Sequence, residues 1–170
     1  VDEAIALGKL LEPFELQLLE QPVHADDLAG MAKVRQAVGI PIMADESIID
    51  HESLIAVIKK DAADIVKLKV MKQGGFLNAR RMLETASAAG LKVVIGHGFG
   101  LGINTVAEIM FACTSPDVLP GLECVGPLKT VDDIVTQKLD ISSGSIPLPH
   151  GPGLGVILDE EKIRKYTFYK

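Results

Sequence analysis

The sequence predicts an α/β fold of about five parallel strands alternating with helices, one part of a (β/α) barrel. Three observations carry this. Apolar runs of strand length recur between segments of helical periodicity, with no hairpin signal between them, which is the pattern of βαβ units. The first two runs, Leu16–Glu20 and Pro41–Asp45, each break into carboxylate at the C-terminal end, where such barrels keep their chemistry. Along Asp64–Val70, Ile65, Lys67 and Lys69 alternate with Val66, Leu68 and Val70, so one face is apolar and the other carries two lysines.

Taken in order, Asp2–Leu11 has helical spacing in Ile5, Leu7, Leu10 and Leu11 and closes before Pro13. It starts without a capping residue, as a truncated or processed chain would. Strand Leu16–Glu20 follows. Asp26 or Asp27 caps a helix bearing Leu28, Met31, Val34 and Val38, with Gly39 as its stop. After strand Pro41–Asp45, Asp50 opens a helix that ends on Lys59 and Lys60, favourably placed for the helix dipole. Strand Asp64–Val70 leads through Gly74-Gly75 into a helix to about Ala89, stopped by Gly90. Strand Leu91–Gly96, a glycine-rich loop, a helix from about Asn104 to Cys113 and a strand at Val118–Glu123 complete the alternation. Beyond Gly126, Asp132–Val135 is read as a short helix and Asp159–Tyr166 as the last one, around a stretch rich in Ser, Pro and Gly. Five strands are too few for a closed eight-stranded barrel, which leaves an edge for another chain or a second copy to cover.

The balance of charge, −6 over 170 residues, argues against phosphate backbones and anionic membrane surfaces as partners. No run approaches the length of a membrane span, and Val1-Asp2-Glu3 does not open a signal peptide. Cys113 and Cys124 show no disulfide framework and fit a reducing, cytoplasmic setting.

Chemistry concentrates at the strand ends. Glu20 and Asp45 are oxygen donors of the kind a hard divalent cation prefers. Lys67 and Lys69, turned into the barrel, need carboxylate partners or a function, because a buried ammonium without either is costly. Glu123 ends the last strand. His97, in Gly96-His97-Gly98-Phe99-Gly100-Leu101-Gly102, is a candidate base, and its loop reads either as a turn bringing backbone close to a substrate or as a phosphate cradle. The spacing is not that of a dinucleotide fingerprint. His24, His51 and His150 show no ligand spacing.

These motifs together resemble the enolase superfamily, specifically its muconate lactonizing enzyme subgroup. The matching residues are Leu19-Glu20-Gln21-Pro22, Ala44-Asp45-Glu46-Ser47, Lys69 ahead of Gly74-Gly75, Leu122-Glu123-Cys124-Val125-Gly126-Pro127-Leu128 with Asp133-Ile134-Val135, and Gly151-Pro152-Gly153-Leu154-Gly155-Val156. The resemblance implies the C-terminal part of a (β/α)7β TIM-like barrel: residues 1–128 would be strands 4 to 8, and 129–170 an extension packing on a capping domain. It implies Glu20 and Asp45 as the second and third carboxylate ligands of Mg²⁺ or Mn²⁺, Lys69 as the acid/base lysine and Glu123 as a residue lining the site; the glycine-rich loop, read by itself, would set His97 and Gly98 beside the substrate. The implied partners are a small carboxylate substrate and either further copies of the chain or a complementary N-terminal chain.

The implied activity is cycloisomerisation of a muconate-like dicarboxylate. Racemisation or epimerisation of N-substituted amino acids, and dehydration of the o-succinylbenzoate synthase kind, stay open beside it, as do a non-catalytic barrel fragment and a phosphate-binding barrel. This chain departs from the family pattern in several places. The first metal carboxylate, the second strand's Lys-x-Lys pair and most of the capping domain would lie upstream of Val1, so the chain alone is expected to be inactive. The 96–100 loop lacks the acid seen in many relatives, no Asp-x-Asp follows the eighth strand, and Lys67 stands where a small or amide residue is common.

Overall fold

The computed structural model describes residues 1–168. Among them, four parallel strands, β1 (Leu19–Glu20), β2 (Ile42–Ala44), β3 (Ile65–Leu68) and β4 (Lys92–Ile95), lie in sheet order β1-β2-β3-β4. Helices α2 (Leu28–Ala37), α3 (His51–Lys59) and α4 (Phe76–Ala88) connect them; α1 (Asp2–Leu11) precedes the sheet and α5 (Gly102–Ala112) follows it. Short α6 (Gly126–Lys129) and α7 (Glu160–Tyr166) lie in the C-terminal part. No helix among these residues is long and apolar enough to cross a membrane.

Local chemistry sets the helix ends. Asp27 caps α2 by accepting from Gly30 N at 2.7 Å. Asp50 caps α3 in a reciprocal capping box with Ser53. After α4 the chain reverses through Gly90 at φ +82°, with Leu91 N donating to Ala86 O, a closure that favours glycine. Gly39 does not play that part: α2 ends in extended Val38, and Gly39 N donates to Glu12 Oε1.

Side chains on the two sides of the sheet separate as alternation requires. Val66, Leu68 and Val70 join Ile42, Ala44, Val93 and Ile95 in the core between strands and helices. Met43, Ile65 and Val94 make a second, small cluster on the other side, the barrel interior.

Three expected elements differ. The first strand is only Leu19–Glu20, because Glu15 adopts a left-handed backbone (φ +53°) and the chain pairs only from Leu19 onward. The fifth strand is reduced to a parallel bridge between Val93 and Val118, with Leu119 N on Val93 O and Glu123 N on Ile95 O. Pro120 has no N–H to pair and Gly121 turns left-handed at φ +92°, so the ladder breaks between those two bonds. The expected helix at Asp132–Val135 is absent. Helix α6 forms earlier, with a proline in its first turn, and Val135 makes an antiparallel bridge to Leu158.

That bridge is pinned by Asp132, which accepts from Lys162 Nζ and from the Tyr166 hydroxyl, both at 2.7 Å. The two donors hold the Asp132 carboxyl well below its ordinary 3.8. A depressed acid contributes stability that is complete above the ordinary value and is lost as pH falls through the depressed one. Amide protection at Thr136 and Asp159, which donate across the bridge, is therefore expected to fall on acidification below 3.8. In Asp132→Asn it is expected to be low at every pH.

Candidate active site

At the C-terminal ends of β1, β2 and β3 the inward side chains meet. The register of the first two strands is locked by Gln21, whose backbone is left-handed (φ +38°). Its Oε1 accepts from Asp45 N at 3.0 Å and Ser47 N at 3.2 Å, and its Nε2 donates to Ser47 Oγ at 2.8 Å. Glu20 and Asp45, each adjacent to one end of that clamp, are thereby held side by side.

Lysines reach this pair from β3. Lys67 Nζ lies 2.7 Å from Glu20 Oε1, 2.5 Å from Glu123 Oε2 and 3.8 Å from Asp45 Oδ2. Lys69 Nζ lies 2.6 Å from Asp45 Oδ2. Lys72, in the turn after β3, donates to Asp45 Oδ1 at 2.6 Å and Asp45 O at 2.8 Å. Lys67 and Asp45 are 3% and 2% exposed, so neither charge would persist there without the other groups.

The electrostatics follow from this packing. Burial opposes the charge on Lys67, but its bonds to Glu123 and Glu20 outweigh burial and hold its pKa above 10.5. Burial likewise opposes ionisation of Asp45, and Lys69 and Lys72 overcome it, so the carboxyl sits below 3.8. Glu20 goes the other way: burial, together with the neighbouring Asp45 and Glu123 carboxyls, raises it above its ordinary value against the pull of Lys67. Burial draws Lys72 below 10.5 in spite of Asp45.

The structure thus brings Glu20, Asp45, Lys67, Lys69 and Glu123 to one rim. Gly98 packs on Met71, whose Sδ would stand 2.8 Å from a Cβ placed there. His97 does not reach the rim. Val94 faces the interior and Gly96 faces the lysines, so alternation turns His97 outward, where it is buried against Glu108 and Gly100. The expectation that its ring contacts a substrate is corrected accordingly. Three polar groups were missed. Lys72 follows Lys69 at a helical-turn spacing, the one signal available for it. Gln73 accepts from Lys69 N at 2.6 Å. Glu46 can bring a carboxylate oxygen within 4.8 Å of those of Glu20 and Asp45. Three oxygen donors at such separations fit a hard divalent ion. Beside them opens a hollow of about 620 Å³ lined by Glu20, Gln21, Val23, His24, Ala25 and Glu46.

Gly96 is what admits the lysines. A Cβ at this position would lie 2.7 Å from Lys67 Cδ, 2.8 Å from Lys67 Cγ and 3.1 Å from Lys69 Cε. Gly96→Ala is expected to displace both stems and lower turnover by about 10²-fold, the scale of a 1 Å misplacement. Steady-state kinetics set beside a thermal melt separates that loss from unfolding.

Comparison with known proteins identifies the family. A family model described as enolase C-terminal domain-like matches residues 1–162. Muconate cycloisomerase 1 of Rhodococcus opacus is 34% identical over 152 residues, 89% of this chain and 41% of the relative. N-succinylamino acid racemase of Amycolatopsis sp is 36% identical over 160 residues, 94% of this chain and 43% of the relative. The solved muconate lactonizing enzyme from Pseudomonas putida superposes with a TM-score of 0.91 at 31% identity, over 97% of this chain and 46% of that one. The chain therefore spans less than half the length of these relatives.

Proposed function

The chain belongs to the enolase C-terminal domain-like family, within the muconate lactonizing branch of the enolase superfamily, and from that premise we propose that it forms strands 4 to 8 of a barrel whose rim moves a proton on the carbon next to a substrate carboxylate. The observation that carries this reading is the convergence of Lys69 and Lys67 on Asp45, Glu20 and Glu123. Glu20 and Asp45, with Glu46 beside them, would hold Mg²⁺ or Mn²⁺, which when bound would supply positive charge against the dianion that forms when a carboxylate adds to the alkene or an α-proton leaves.

The chain's own groups do the rest. Lys69, as a neutral amine, accepts the α-proton, or as an ammonium donates it. In cycloisomerisation one carboxylate oxygen of a muconate-like diacid bonds to the distal alkene carbon. The displaced electron pair moves to the carbon α to the other carboxylate, and a lysine ammonium protonates it there. Lys67, bridging Glu20 and Glu123, is a second proton carrier on the same rim and fixes both acids. Lys72 and Gln73 hold Asp45 and the Lys69 backbone in place.

A second reading is racemisation of an N-succinyl-type amino acid, favoured by the relative from Amycolatopsis. Lys69 would serve one face of the α-carbon and a lysine outside this chain the opposite face, one removing the proton and the other returning it. Assay of the intact protein with Mg²⁺ on cis,cis-muconate and on N-succinyl amino acids distinguishes the two. Lactone formation supports the first and loss of optical rotation the second. Failure on both panels, with Mg²⁺ bound, would overturn the proposal. The 170-residue chain alone is expected to be inactive, with turnover returning when a complementary N-terminal half or the complete oligomer is supplied. A reducing cytoplasm suits the free thiols of Cys113 and Cys124.

A further inference from the structure

Behind the rim, in the layer between the strands and α5, three residues of ligating type meet. His97 points outward from the end of β4, Glu108 points inward from the middle of α5, and Cys124 follows Glu123 with the opposite side-chain direction. All three are buried; the Glu108 side chain is 0% exposed and that of His97 1%. One donor atom from each lies within 4.8 Å of the other two.

The hydrogen bonds leave this cluster short of a positive centre. His97 Nε2 faces Gly100 O at 3.0 Å, and a carbonyl can only accept, so Nε2 carries the ring proton. Nδ1 then presents a lone pair, consistent with the Asn104 amide nitrogen 3.2 Å away. Glu108 Oε2 also lies against Nδ1, so two acceptors face each other and need a proton between them, which a metal ion would displace. Glu108 Oε1 is buried with no hydrogen-bond partner among the described residues. The backbone of Gly126 seals the group: a Cβ there would stand 2.2 Å from His97 Nε2.

We propose that His97, Glu108 and Cys124 form a buried three-ligand site for Zn²⁺ or a similar borderline metal ion, separate from the oxygen-rich rim. A thiolate, an imidazole nitrogen and a carboxylate are the ligand types of Zn²⁺ rather than Mg²⁺. A ligating histidine commonly donates its other ring N–H to a backbone carbonyl, as His97 does to Gly100. The charges balance, with thiolate and carboxylate against a dication. Binding releases two protons per ion, one from the Cys124 thiol and one held between Glu108 and His97. The site joins the ends of β4, α5 and the segment carrying Glu123, so it would brace the acid that bonds Lys67. It loads during folding, because Gly126 and α5 cover it afterwards.

The test uses the intact protein carrying this chain, stripped with a chelator during refolding and refolded with Co²⁺. The expected result is a thiolate-to-cobalt charge-transfer band in the near ultraviolet that saturates at one equivalent of Co²⁺, which an all-oxygen rim cannot produce whatever Co²⁺ it binds beside it. The band persists in Cys113→Ser and disappears in Cys124→Ser and in Glu108→Gln. Should those variants fail to fold, Zn²⁺ present during refolding of the unmodified protein is expected to protect Cys124, and not the exposed Cys113, from alkylation in mild denaturant. Bound Co²⁺ without the band, a band that survives Cys124→Ser, or alkylation of Cys124 indifferent to Zn²⁺ would each overturn the site and leave a proton alone between Glu108 and His97.

Discussion

Lys69→Ala in the intact enzyme is expected to lower turnover by about 10²–10⁴-fold, the usual contribution of a positioned acid or base, without lowering Mg²⁺ affinity. The two halves of that result come from one contact. Lys69 Nζ lies 2.6 Å from Asp45 Oδ2, so its ammonium neutralises an oxygen that a divalent cation would also use. Deleting it removes the proton carrier and frees that oxygen, while Lys72 keeps Asp45 oriented through Oδ1 and the backbone carbonyl. A Lys69→Arg variant keeps the charge near Asp45 but hardly deprotonates. It is expected to be as inactive as alanine, which locates the effect in proton transfer. Turnover that survives either change would remove Lys69 from the chemistry.

Asp45→Asn is expected to act on the metal instead. Losing an outer partner of a metal ligand typically costs about 10–100-fold in affinity, and neutralising the ligand itself should cost at least as much. Calorimetric titration with Mg²⁺ or Mn²⁺ reads this directly, and an unchanged isotherm would reject Asp45 as a ligand. Folding stability should fall too. Asp45 is 2% exposed and accepts from two ammonium groups. The Lys69 and Lys72 side chains are 18% and 20% exposed and partly screened by solvent, so the loss is roughly 1–3 kcal/mol, in the range for bonds to charged groups. Glu20→Gln serves as the companion variant, since its carboxyl is held by Lys67 rather than Lys69.

How much of this is legible in the sequence depends on whether the cause is periodic. Along β3, Val66, Leu68 and Val70 go to the core and the residues between them go inward, because alternation is a property of the backbone and the apolar set is unbroken. The same rule applied to β4 would have turned His97 away from the rim. The glycines of the 96–102 loop read as a turn or a phosphate cradle, yet the strand's alternation still runs through Gly96. Other features have no periodic signature. The clamp of Gln21 on Asp45 and Ser47 spans two strands, and the meeting of Glu108 with His97 and Cys124 depends on how α5 lies on the sheet. Strand length departs from the apolar pattern for a different reason. An apolar run marks burial, whereas pairing also needs a donor at each step, and Pro120 cannot supply one. The helix expected at Asp132–Val135 failed because Asp133 is used elsewhere: buried, its Oδ2 accepts from Gly102 N and so holds the start of α5.

Incorporation of solvent deuterium at the carbon α to the substrate carboxylate probes the rim most directly, because cycloisomerisation and racemisation both require it. In D₂O with Mg²⁺, the intact enzyme is expected to place deuterium at that carbon in its product, and Lys69→Ala to place none. Product formed with protium retained at that carbon, or deuterium entering equally well without Lys69, would contradict proton transfer by this cluster.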